Sequence, residues 1–104
     1  MPPIARDMSY CISENDTEED INEAIKDAFG AQAFLVENVK IISRTKYADL
    51  VPIAREKLGA APGQDNVLVN ITLRHPDATL TKKEANGLYD EVYPKLNKGS
   101  KGYL

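Results

Sequence analysis

Few side chains in this chain could do covalent chemistry. The only histidine, His75, stands before Pro76, which withholds a backbone donor and pushes His75 into an extended conformation. Imidazole titrates near neutrality and could serve as a general base. No serine or cysteine lies in a recognisable nucleophile motif around it. The single cysteine, Cys11, excludes an internal disulfide and a cysteine-built zinc site, and reads as a small apolar residue. The acidic run from Glu14 to Glu23 lacks calcium-loop spacing with its required glycine. Gly59 and Gly63 bracket a linker and not a strand-to-helix phosphate loop. No catalytic, cofactor-binding or metal site is expected, and an enzyme centred on His75 ranks last among the readings.

Non-covalent chemistry is better provided. Lys40, Arg44 and Lys46 fall along one segment of alternating residues, followed by Tyr47. Asn70, Thr72 and Arg74 alternate with Val67, Val69, Ile71 and Leu73 along another. If the apolar set faces a core, the polar and cationic set faces outward. Such a surface can meet phosphates, ribose hydroxyls and unstacked bases. Tyr47 is the leading aromatic for stacking, with burial against a neighbouring helix as the alternative.

These residues need strands and helices to hold them. Met8, Tyr10 and Ile12 alternate with Asp7, Ser9 and Cys11, which predicts a half-buried strand. Thr17 and Asp20 offer a cap for a helix whose apolar stripe is Ile21, Ala24, Ile25, Ala28 and Phe29, stopped by Gly30. A second strand runs from about Leu35 to Thr45, with Val39 and Ile41 on one side and Lys40, Ile42 and Arg44 on the other. Within residues 46–66, Pro52 suits a first helical position and Gly59 a C-terminal cap, so a short helix is expected before a loop. The third strand carries Val67 to Arg74. The second main helix follows Thr81, buries Ala85, Leu88, Tyr89, Val92 and Leu96, and meets Pro94 in its final turns. A brief extended piece, Tyr103-Leu104, closes the chain.

Arg74-His75-Pro76-Asp77-Ala78-Thr79-Leu80-Thr81-Lys82-Lys83-Glu84-Ala85-Asn86 joins a strand end, a turn and a helix start. With the earlier Pro2-Pro3-Ile4-Ala5-Arg6-Asp7-Met8-Ser9, it resembles the ferredoxin-fold anticodon-binding domain that ends the beta subunit of bacterial phenylalanyl-tRNA synthetase and closes the organellar enzymes. The resemblance covers most of the chain. It departs at residues 46–66, which lack the family's acidic-aromatic-glycine turn and short Lys-rich link. It implies an α+β, ferredoxin-like β-α-β-β-α-β fold: a four-stranded antiparallel sheet with two helices on one face and an extra short helix between strands two and three. It also implies an accessory domain that grips the anticodon stem-loop of phenylalanine tRNA while an α2β2 synthetase catalyses aminoacylation elsewhere. Lys40, Arg44, Lys46, Tyr47, Asn70, Thr72 and Arg74 are then the candidate RNA contacts. Arg6-Asp7 and Thr79-Leu80-Thr81 look chiefly architectural. The alternative is a ferredoxin-like oligomerisation or small-effector-binding regulatory module, with Ile42 and Leu68 supplying part of an apolar surface.

Bulk properties agree with one small domain spanning residues 1–104. No window approaches a membrane span, no signal peptide is evident, and a cytoplasmic location is the simplest expectation. The net charge is −3, yet it is unevenly spread: residues 1–40 carry Arg6, Lys26 and Lys40 against nine acids, and residues 41–104 carry ten Lys or Arg against seven. That split leaves room for a face usable by a phosphate backbone, and equally for ordinary solvated helices. Beginning so near the Pro-Pro phrase suggests a fragment of a longer beta chain, although a free-standing domain starts the same way.

Overall fold

The computed structural model describes residues 2–99. Its elements are strand β1 (Ile4–Ser13), helix α1 (Glu18–Phe29), a 3-10 segment (Gly30–Leu35), strand β2 (Val36–Lys46), helix α2 (Pro52–Leu58), strand β3 (Gln64–Leu73) and helix α3 (Lys82–Leu96). A second 3-10 turn, Tyr47–Asp49, follows β2. The central strand is β3, with β1 and β2 antiparallel to it on either side. β1 and β2 therefore run parallel without touching, and α1 carries the chain between them, which is the split β-α-β crossover.

Local chemistry explains these boundaries. Thr17 and Thr81 both close capping boxes, with Asp20 and Glu84 at the reciprocal positions. In each box the threonine's hydrogen bonds hold the partner carboxyl below its ordinary pKa. Pro52 opens α2, and Gly59 ends it at φ 66°, a left-handed cap that costs glycine nothing sterically. Pro94 withholds the N–H that would reach the Asp90 carbonyl, and α3 runs on only to Leu96, after which the Asn97 N–H bonds the Tyr93 carbonyl.

The core lies between one sheet face and helices α1 and α3. Val67, Val69, Ile71 and Leu73 are each 0% exposed, and each contributes roughly 1.5–3 kcal/mol of burial. Met8, Tyr10 and Ile12 flank them from β1, and Ile21, Ile25, Phe29, Ala85, Tyr89 and Val92 come down from the helices. Ala24, counted in the apolar stripe on spacing, is exposed, and Leu88 is only half-buried. The Tyr89 hydroxyl donates to the Ile71 carbonyl at 2.8 Å, and its ring meets Phe29 edge-on. From β1, Arg6 reaches Asn86 of α3 at 3.3 Å and lies over the Tyr89 ring.

The expected four-stranded sheet is corrected to three strands among the described residues. The place for a fourth is the outer edge of β1, where residues 97–99 arrive after α3 without forming a ladder. Asn97 satisfies the Cys11 N–H with its side-chain oxygen at 2.7 Å, and only the Lys98 N–H bonds backbone to backbone, to the Cys11 carbonyl. A side chain thus occupies the site a strand carbonyl would need. Gly99 then passes so close to the Leu58 carbonyl that a Cβ there would collide with it. The expected final strand, Tyr103-Leu104, lies outside the described residues.

Edge strand β2 is irregular. Its register with β3 shifts between Val36 and Asn38 and again between Ile41 and Ser43. The second shift changes the side to which every later residue points. Arg44 consequently pairs with Val67 and lies on the helix side of the sheet. There its Nε donates to Asp65 Oδ2 at 2.7 Å, and its terminal nitrogens donate to the carbonyls of Ser13, Glu14 and Asp16. One guanidinium thus fastens β2, β3 and the β1–α1 turn.

The Asp65 side chain is 8% exposed and that of Arg44 28%, so Arg44→Ala strands a nearly buried carboxylate. A loss of about 2–3 kcal/mol is expected from urea unfolding, and a loss below about 1 kcal/mol would reduce the pair to an ordinary surface bridge. Burial also raises the phenols of Tyr10, Tyr89 and Tyr93 above their ordinary value of 10, the latter two to about 12. A group whose pKa is raised on folding contributes stability below its unfolded pKa and loses it as pH climbs toward the folded one. Stability should therefore hold up to about pH 10 and fall between 10 and 12, more steeply in the native chain than in Tyr89→Phe. Phenolate absorbance followed together with circular dichroism checks this.

Candidate nucleic-acid interface

The sheet face away from α1 and α3 is built of cross-strand rows. Asp7, Asn70 and Lys40 form one row across the three strands, and Ala5, Thr72 and Asn38 the next. On the other side come Ser9, Leu68 and Ser43, then Cys11, Asn66 and Thr45. The surface is polar around a half-buried Leu68. Neighbours hold its groups in place: the Asn70 amide donates to Asp7 Oδ1 at 2.8 Å, and the Asn66 amide donates to Ser9 Oγ at 3.0 Å. Its charges nearly balance, with Lys40 against Asp7, and Arg74 bonded to Glu37 at 3.0 Å beside the strand ends.

The face is open at one end and covered at the other. Cys11 is fully buried although it points away from the main core. Asn97 bonds its backbone, and Gly99 and the Leu58 carbonyl lie beside its thiol end. Burial raises the thiol pKa, which favours the neutral thiol at this packed position.

The residues singled out on sequence thus divide. Lys40, Asn70 and Thr72 share the polar face, and Arg74 stands one residue beyond β3 at its margin. Arg44 and Lys46 pair with Val67 and Asp65 and belong to the helix side. Lys46 is exposed there, whereas Arg44 is consumed by structural bonds. Tyr47 lies past the end of β2, half-buried beneath the Arg55 guanidinium, which sits 4.4 Å from its ring centre and donates to the Tyr47 and Ala48 carbonyls. Ile42 occupies the second bulge and is 47% exposed.

Sequence reasoning passed over two members of this face, Asp7 as a partner of Asn70 and Asn38 beside Thr72. Alternation through β2 already places Asn38 on the side of Lys40, two residues on, but only the cationic residues of that strand were weighed as contacts. Asp7 and Arg6 are joints: Asp7 ties β1 to β3, and Arg6 ties β1 to α3 through Asn86. The Arg-Asp phrase and the Glu-Ala-Asn phrase are thereby in direct contact.

His75 stands in the turn after β3. Its Nδ1 accepts from the Asp77 N–H at 3.1 Å, and its ring meets Phe34 edge-on. Among the described residues no three His, Cys, Asp or Glu side chains are grouped to hold a metal ion, and no helix is long and apolar enough to cross a membrane. Comparison with known proteins finds no matching family model and no matching curated sequence.

Proposed function

We propose that this chain is an accessory RNA-binding domain whose polar sheet face receives an unpaired loop, by resemblance the anticodon loop of phenylalanine tRNA. The observation that carries the reading is the pair of rows Asp7-Asn70-Lys40 and Ala5-Thr72-Asn38, which present amide, hydroxyl and ammonium groups away from the helix layer. Amides and hydroxyls on an open sheet suit the edges of splayed bases and ribose hydroxyls. With its charges nearly balanced, the face would rely on these hydrogen bonds more than on phosphate attraction, so binding by the isolated domain would be weak. A larger body, by resemblance the rest of an α2β2 synthetase, would supply further affinity and all of the catalysis.

The test is a binding titration against total tRNA, with sequencing of what is retained. Enrichment of one tRNA species is expected. Lys40→Ala should weaken binding and lower the salt slope by about 1, as removal of a phosphate contact does. Asp7→Asn removes the acid from the row and should strengthen binding. Affinities unmoved by either change would take the sheet face out of RNA recognition.

A further inference from the structure

A second surface lies on the helix side and has no part in the RNA reading. It is a groove of about 510 Å³ between the 3-10 segment, the loop after β3 and α3. Phe34, Leu80 and Leu88 give it an apolar lining, and Glu84 and Glu91 stand along the same stripe of α3 as Leu88. Its lining contains these two carboxylates and no lysine or arginine. Phe34 is 58% exposed, a large apolar surface left facing solvent with the His75 ring at its side.

Gly87 supplies an independent observation. It sits inside α3 on that stripe, where glycine is less favourable than every residue but proline. A Cβ at this position would meet nothing within 4 Å, so packing does not require the glycine. The missing side chain leaves open space at that point of the groove lining. The walls are also fixed beforehand: the Arg74 N–H bonds the Leu35 carbonyl at 2.9 Å, and the Thr81 capping box anchors the start of α3. A preformed site loses less entropy on binding.

We infer that this groove docks a basic peptide segment of a partner protein, seating one bulky apolar side chain over Gly87 against Phe34, Leu80 and Leu88. Arginine or lysine residues flanking that anchor would pair with Glu84 and Glu91. Charge decides the occupant: an acidic or neutral apolar segment would gain the same burial but would meet the two carboxylates unfavourably or without reward.

The probe is a fluorescent peptide alternating arginine and leucine around a central tryptophan, with a glutamate-for-arginine version as control. The arginine peptide should bind the whole chain at least tenfold more tightly than the control, and nuclear magnetic resonance shifts should cluster at Phe34, Leu80 and Gly87. Gly87→Gln suits a helix interior and fills the floor, and should weaken binding about tenfold with the fold intact by circular dichroism. Glu91→Gln should cost about two- to fivefold, and Lys40→Ala nothing. Equal affinity for both peptides, or arginine-peptide binding indifferent to Gly87→Gln, would overturn the assignment. So would a concentration-dependent homodimer abolished by Gly87→Gln, which would give the groove to a second copy of the chain.

Discussion

The guanidinium of Arg44 is the junction on which the sheet's geometry depends. It reaches the nearly buried Asp65 carboxylate and the three carbonyls of the β1–α1 turn because the register shift after Ile41 turns it to the helix side. Those carbonyls lie just before the N-terminus of α1, so the same contact sets where that helix leaves the sheet. Were Ile42 paired in unbroken register, Arg44 would project from the opposite face and Asp65 would be buried with no cation beside it. The bulge also roughens β2, an edge strand, whose charged and exposed residues make it a poor template for another chain.

Much of the architecture could be read from residue order. Alternation located β1 and β3, three-residue spacing from threonine to acid located the starts of α1 and α3, and the proline and glycine around 52–59 located α2. These signals are local, and the structure obeys them because nothing distant opposes them. Register was not legible. A two-residue period carried through β2 puts Arg44 beside Lys40, and no residue type marks the bulge that separates them. Nor was the approach to β1 legible, since it turns on an asparagine side chain accepting a hydrogen bond from a residue 86 positions away. The candidate site was half visible for the same reason: Lys40, Asn70 and Thr72 lie together, while Arg44, Lys46 and Tyr47 go elsewhere.

The two surfaces differ in how they could recognise anything. The sheet face is broad, polar and braced by side-chain hydrogen bonds, which favours many weak directional contacts. The groove is concave and apolar with a charged margin, which favours one deep contact and a choice of sign. They belong to opposite layers of one domain, so occupation of one leaves the other accessible. A domain with this layout can join a ligand to a neighbouring protein without any moving part.

Strand order has a consequence for how the chain comes into being. Among the described residues β1 and β2 form ladders only with β3, which ends at Leu73, so a nascent polypeptide that has emerged only as far as Pro62 possesses two orphan strands and no ladder. Every cross-strand contact spans a long loop of sequence, a topology that slows folding relative to helical bundles. The capped helix α1 can form early but has no floor to rest on until the third strand arrives. Assembly on the ribosome is therefore expected to be late and nearly all at once, with the apolar sides of β1 and α1 in need of shelter during the wait.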